Sequence, residues 1–114
     1  MKILCWNCQG LGQSQVVYSL QMVVQKIDPD VIFLPDTRLH KIGFLNLKLS
    51  LDMVGYFMVD FTATCSGILL FWNYKVSMYL LSYSSRHIDV VIASFTEKFH
   101  FFRIIGYANT NIKI

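Results

Sequence analysis

The strongest constraint on this chain is the order of elements in residues 1–36, which read as strand, helix and strand with little slack between them. Residues 2–7 form an apolar, strand-like run, followed by a turn carrying Gly10 and Gly12. Val16, Val17, Leu20, Val23, Val24 and Ile27 then recur at helical spacing. They predict a helix over residues 14–26 with one apolar face and Ser14 as its N-cap. Asp28-Pro29-Asp30 stops that helix, and Val31-Ile32-Phe33-Leu34 predicts a second buried strand. A crossover this short is right-handed and leaves its two strands parallel. Residues 1–7 and 31–35 then lie side by side. Asn7 and Asp36 both fall just past the strand ends, at the edge where open sheets of this kind bind ligands.

Residues 39–51 fit two patterns. Leu39, Ile42, Leu45 and Leu49 suit a helix, whereas Leu45, Leu47, Leu49 and Leu51 suit a strand. A helix weakened by Gly43 is the favoured reading. From Gly55 onward the character changes. Strand-like runs follow at 55–60, 67–73, 77–83, 87–95 and 100–107, some separated by short turns such as Asn73-Tyr74-Lys75. With no helices between them, they are expected to pair antiparallel. The expected fold is α+β, with a mixed sheet that is parallel at its start and antiparallel later.

Composition agrees with a largely buried sheet. Apolar residues make up 54% of the 114 residues and charged residues 15%, against about 25% charged in an average domain. Spanning a bilayer takes about 20 consecutive apolar residues, and the longest clean run is Ile68-Leu69-Leu70-Phe71-Trp72. Met1 to Asn7 has no signal-peptide pattern, so the expectation is an intracellular protein with no membrane partner, the nucleus included among its locations. Cys5 and Cys8 form a single C-x-x-C with no second pair, and Cys65 stands alone. Buried thiols are favoured over a zinc or redox site. The net charge of +3 is spread over single Lys and Arg residues. It leans toward an anionic partner without forming a basic patch.

Five segments, in order, carry a resemblance. Cys5-Trp6-Asn7-Cys8-Gln9-Gly10-Leu11-Gly12 resembles the opening strand and loop of the endonuclease/exonuclease/phosphatase superfamily, the DNase I-like fold. Its wording is closest to plant LINE-type (non-LTR) retrotransposon endonuclease domains. Asp30-Val31-Ile32-Phe33-Leu34-Pro35-Asp36-Thr37-Arg38-Leu39 is similar to the segment ending in an acidic metal ligand, Thr and a basic residue. Ser66-Gly67-Ile68-Leu69-Leu70-Phe71-Trp72 resembles the Gly-rich strand ending in Trp. Ser84-Ser85-Arg86-His87-Ile88-Asp89-Val90 resembles the next strand pair, and Tyr107-Ala108 resembles the Tyr-Ala strand end.

The resemblance implies a fold and a chemistry. The fold would be half of a four-layer sandwich, with one mixed sheet and helices on one face. The activity would be Mg²⁺-dependent phosphodiester hydrolysis with DNA as partner. Asn7 matches the residue that helps hold metal and scissile phosphate; an Asx turn before Gly10 is the competing reading. Asp36 matches the acidic metal ligand, where the family has Glu. The shorter side chain must shift ion or backbone by about an ångström, and such misplacement can cost about a hundredfold in rate. A solvated turn acid after Pro35 is the alternative. Tyr107 matches the Tyr that hydrogen-bonds the phosphate, against an ordinary strand aromatic. His87 and Asp89 lie on one strand face and read as a surface pair. His40 and His100 show no partner pattern, and Phe99, Phe101 and Phe102 read as core.

The family's general-base His and its Asp-x-Asn element belong to a C-terminal half. No Gly-Asp-Phe-Asn or Ser-Asp-His element occurs in the sequence. The expectation is therefore a single partial domain over residues 1–114, inactive alone. Its sheet would lack a cover on one face, leaving an apolar surface for self-association or a partner.

Overall fold

A computed structural model describes residues 1–7, 10–11, 14–38, 44–60, 62, 67–94, 100–105 and 111–113. The predicted β-α-β unit is present: β1 (Ile3–Cys5), α1 (Ser14–Ile27) and β2 (Val31–Pro35), with β1 and β2 parallel. The buried positions of α1 are Leu20 and Val24. Val16, Val17, Val23 and Ile27 are partly buried beside them, as the periodicity predicts. The helix ends because Asp28 takes a left-handed conformation (φ 52°) while its N–H still bonds Val24 O at 2.8 Å, and Pro29 follows.

The ambiguous region resolves as a helix where it is described. α2 (Phe44–Ser50) buries Leu47, and Leu51 and Met53 follow it into the same core. Its C-terminus is a Schellman motif. Met53 N–H reaches Lys48 O and Asp52 N–H reaches Leu49 O, with Asp52 at φ 57°. Residues 39–43 lie outside the described residues.

Among the described residues six strands follow: β3 (Gly55–Val59), β4 (Ile68–Trp72), β5 (Val76–Tyr83), β6 (His87–Ser94), β7 (His100–Ile105) and β8 (Asn111–Lys113). They divide between two sheets. The first is mixed, in the order β3-β4-β2-β1-β8, and the second is antiparallel, β5-β6-β7. The chain changes sheet at Asn73-Tyr74-Lys75. Asn73 there turns back to Asp30, its N–H to the Asp30 carbonyl and its Nδ2 to the carboxylate, both at 3.0 Å.

The mixed sheet is buried on both faces. Leu4, Ile32, Leu34, Leu69 and Phe71 face α1 and α2. Ile3, Cys5, Val31, Phe33, Ile68 and Leu70 face Val76, Ile88, Val90 and Ile92 of the second sheet. The α+β class, the mixed sheet and its helices on one face are as expected. The expectation of an uncovered apolar face is corrected. Strands β5 to β7 do not extend the first sheet; they fold over it, because Val76, Ile88, Val90 and Ile92 are the apolar positions facing back. Each such side chain contributes roughly 1.5–3 kcal/mol when fully buried.

The outer face of the second sheet holds a charged network. Asp89 is 5% exposed. It accepts hydrogen bonds from Arg103 Nε at 2.8 Å, Arg103 Nη2 at 3.0 Å and Ser82 Oγ at 2.8 Å. His87 lies 3.6 Å away on the same strand face. The pair expected at the surface is thus a buried acid whose main partner is Arg103, two strands across from Ser82. The Arg103 hydrogen bonds, and after them that of Ser82, lower the Asp89 pKa to about 2.

Two outcomes follow from this packing. A Cβ at Gly55 would collide with the indole of Trp72, its cross-strand partner. Gly55→Ala is expected to destabilise the fold by about 1–3 kcal/mol, read as a lower urea midpoint at unchanged slope. For Asp89, the folded pKa lies below the ordinary value, so its stabilisation is present above that value and is lost as pH falls toward 2. Asp89→Asn is expected to lower the thermal midpoint at neutral pH and to flatten the acid-side fall between pH about 4 and about 2. Equal acid-side slopes in the two proteins would contradict this account.

Candidate functional site

The parallel ladder sets Ile3 opposite Val31 and Cys5 opposite Phe33. Trp6 N–H continues it by bonding Phe33 O at 3.0 Å. Carrying the register forward places Asn7 level with Pro35, the last residue of β2, and Asp36 is the next residue. Both residues therefore stand where the element order predicts, at the C-terminal edge of the parallel pair.

The loop leaving β2 is tightly laced. Gly10 N–H bonds Asp36 O at 2.9 Å, and Leu11 N–H bonds Thr37 O at 2.8 Å. On the other side Thr37 N–H bonds Gly67 O at 3.1 Å, just before β4. Gly10 (φ 104°) and Gly67 (φ 91°) occupy backbone space that other residues rarely adopt. Thr37 is 1% exposed. On either side of it, Asp36 and Arg38 are both left-handed, at φ 56° and 49°. Such a conformation costs roughly 1–2 kcal/mol per residue. Asp tolerates it better than most, whereas a bulky Arg is a true outlier. Strain of this kind concentrates at functional sites, where surrounding bonds enforce it.

The two left-handed residues bring a carboxylate and a guanidinium together. Asp36 Oδ1 accepts from Arg38 Nε at 3.2 Å, with the Asp36 side chain 21% exposed and that of Arg38 58% exposed. The Arg38 stem passes over Gly10, whose absent Cβ would lie 3.7 Å from Arg38 Cδ. Arg38 appeared in the sequence only as the basic residue after Thr37. Its contact with Asp36 depends on backbone angles that no residue pattern announces.

Asn7 and Asp36 offer an amide and a carboxylate, both hard oxygen donors. This donor set suits Mg²⁺, which takes one or two carboxylates and keeps several waters. Among the described residues, no group of three or more His, Cys, Asp or Glu could hold a metal ion, so any cation here would rest on few protein ligands. Tyr107 lies outside the described residues, as do Cys8, Cys65, His40 and Phe99. The Cys5 side chain is buried between the two sheets. Phe101, expected in the core, is 59% exposed on β7. A surface depression along α1, lined among the described residues by Leu11, Ser14, Gln15, Val17, Tyr18, Ser19 and Gln21, has no acid, imidazole or thiol among them. The sheet edge is therefore the better place for chemistry. Among the described residues, no helix is long and apolar enough to cross a membrane.

No protein-family model and no curated protein matches the sequence. The fold does have solved counterparts. An AP endonuclease from Leishmania major superimposes with a TM-score of 0.62 and 16% identity over 94% of this chain. TDP2 from C. elegans superimposes more loosely, with a TM-score of 0.46 and 11% identity over 82% of this chain and 31% of its own. The chain spans 40% of the length of the AP endonuclease. Its mixed sheet, helical layer and second sheet are thus the fold of part of a DNase I-like domain.

Proposed function

We propose that this chain supplies one half of a Mg²⁺-dependent phosphodiesterase site acting on DNA, descended from a LINE-type retrotransposon endonuclease. What supports the reading is that Asn7 and Asp36 follow the C-terminal ends of two parallel strands, β1 and β2, in a fold similar to that of an AP endonuclease. Asp36 would hold the cation through its carboxylate. Asn7 would add an oxygen to the cation or direct its N–H donors at a phosphate oxygen. Tyr107 is assigned to the phosphate on the sequence resemblance alone. The cation, when bound, polarises the phosphate and stabilises charge in the transition state.

Under this reading the span is inactive, or nearly so, by itself. A general base and the group that orients the attacking water each contribute orders of magnitude. The sequence resemblance supplies no residue for either within the 114 residues. Residues outside this span would have to supply both groups for the reaction to run. A non-catalytic interaction module is the alternative. It would use the outer face of the second sheet, where Tyr79 (49% exposed) and Phe101 (59% exposed) flank Val91 across three strands.

Supercoiled-plasmid nicking with Mg²⁺, run beside Asn7→Ala and Asp36→Ala with circular dichroism as the folding control, tests the reading. The folded chain is expected to leave the plasmid intact. It is expected to bind a labelled duplex in a Mg²⁺-dependent way that Asp36→Ala weakens about tenfold, or ~1.4 kcal/mol. Nicking abolished by both substitutions would show a working site and refute inactivity. DNA binding indifferent to Mg²⁺ and to both substitutions would favour the interaction module.

A further inference from the structure

We propose that Arg38 is the resident counter-ion of Asp36, and that a divalent cation at this carboxylate binds in competition with the guanidinium. The inference rests on the reading of Asp36 as the metal-holding residue. It begins from two observations made at the same loop. Arg38 Nε lies 3.2 Å from Asp36 Oδ1, and Arg38 is held at φ 49°, where a long side chain is rarely found. The loop is laced on both sides, to Gly10 and Leu11 and to Gly67, so the backbone keeps the two charges facing each other. The Arg38 stem passes over Gly10, whose Cβ, were there one, would lie 3.7 Å from Arg38 Cδ.

The charges make the two occupants antagonistic. Mg²⁺ demands near-octahedral oxygen ligands at close range, and a guanidinium on the same carboxylate oxygen blocks one ligand direction and repels the ion. Arg38 is the easier partner to remove. Its side chain is 58% exposed, and an exposed ion pair is weak and screened by salt. Asp36, at 21% exposure, stays in place. Cation affinity at this edge is then the difference between binding the ion and releasing Arg38, and it is lower than the Asp36 carboxylate alone would give.

Mn²⁺ accepts the same oxygen ligands, and its free concentration can be read by electron paramagnetic resonance without any turnover. The comparison uses the whole chain with Arg38→Met, which keeps an unbranched stem, Arg38→Asn, which suits a left-handed backbone, and Asp36→Asn. Circular dichroism checks each fold. Both Arg38 variants are expected to bind Mn²⁺ roughly three- to tenfold more tightly than the parent at low salt. That gain should shrink as added salt screens the repulsion, and Asp36→Asn should lose binding. Binding seen only in the Arg38 variants would also support the exchange. Unchanged or weaker binding in both Arg38 variants, with loss in Asp36→Asn, would overturn the counter-ion role and leave Asp36 as the metal holder. Binding retained in Asp36→Asn, or absent from every folded variant, would instead overturn the assignment of the cation to Asp36.

Discussion

Burial of β2 on every side is the constraint from which the rest of this structure follows. Val31, Ile32, Phe33 and Leu34 are fully buried, with β1 bonded along one edge and β4 along the other. Alternate side chains point to the helices and to the second sheet. A strand with no solvent-facing position has no room for a register slip, since moving by one residue would exchange the contents of two cores. The register of β1 against β2 is therefore pinned, and the positions of Asn7 and Asp36 with it.

The far end of this ladder is where backbone strain accumulates. The core needs Leu34 and Pro35 inside, and the chain must then turn sharply to clear the sheet edge. Asp36 and Arg38 take left-handed angles around a buried Thr37, and three backbone hydrogen bonds hold that shape. Order at this edge is thus imposed from both neighbours of β2. Those bonds fix the backbone that carries the Asp36 carboxylate, and the same geometry sets Arg38 against it.

Much of this was legible in advance because the first part of the chain is local. The apolar stripe from Val16 to Ile27, the Asp28-Pro29-Asp30 stop and the uninterrupted Val31–Leu34 run each carry their own signal, and their order forces a parallel pair. Strands β3 to β7 were anticipated at nearly their observed positions, whereas β8, which pairs with β1, and the allocation of the strands to two sheets were not. Alternation in Val76–Tyr83 and His87–Ser94 marks one face as apolar but does not name the surface that covers it. For the same reason Asp89 read as a surface acid beside His87. Its burial comes from Arg103, 14 residues away and opposite it only once β6 and β7 pair.

By itself, then, the sequence determined the β-α-β unit, the α+β class, the positions of the strands before β8 and the sheet edge just beyond which Asn7 and Asp36 fall. Those follow from periodicity, turn chemistry and the handedness of a short crossover, all of which act over neighbouring residues. Only the tertiary structure decided that β5, β6 and β7 fold over the first sheet, that Asp89 is held by Arg103, and that Arg38 turns back onto Asp36. Each of those depends on contacts between distant segments or on backbone angles enforced from outside the loop, and neither leaves a mark in local residue order.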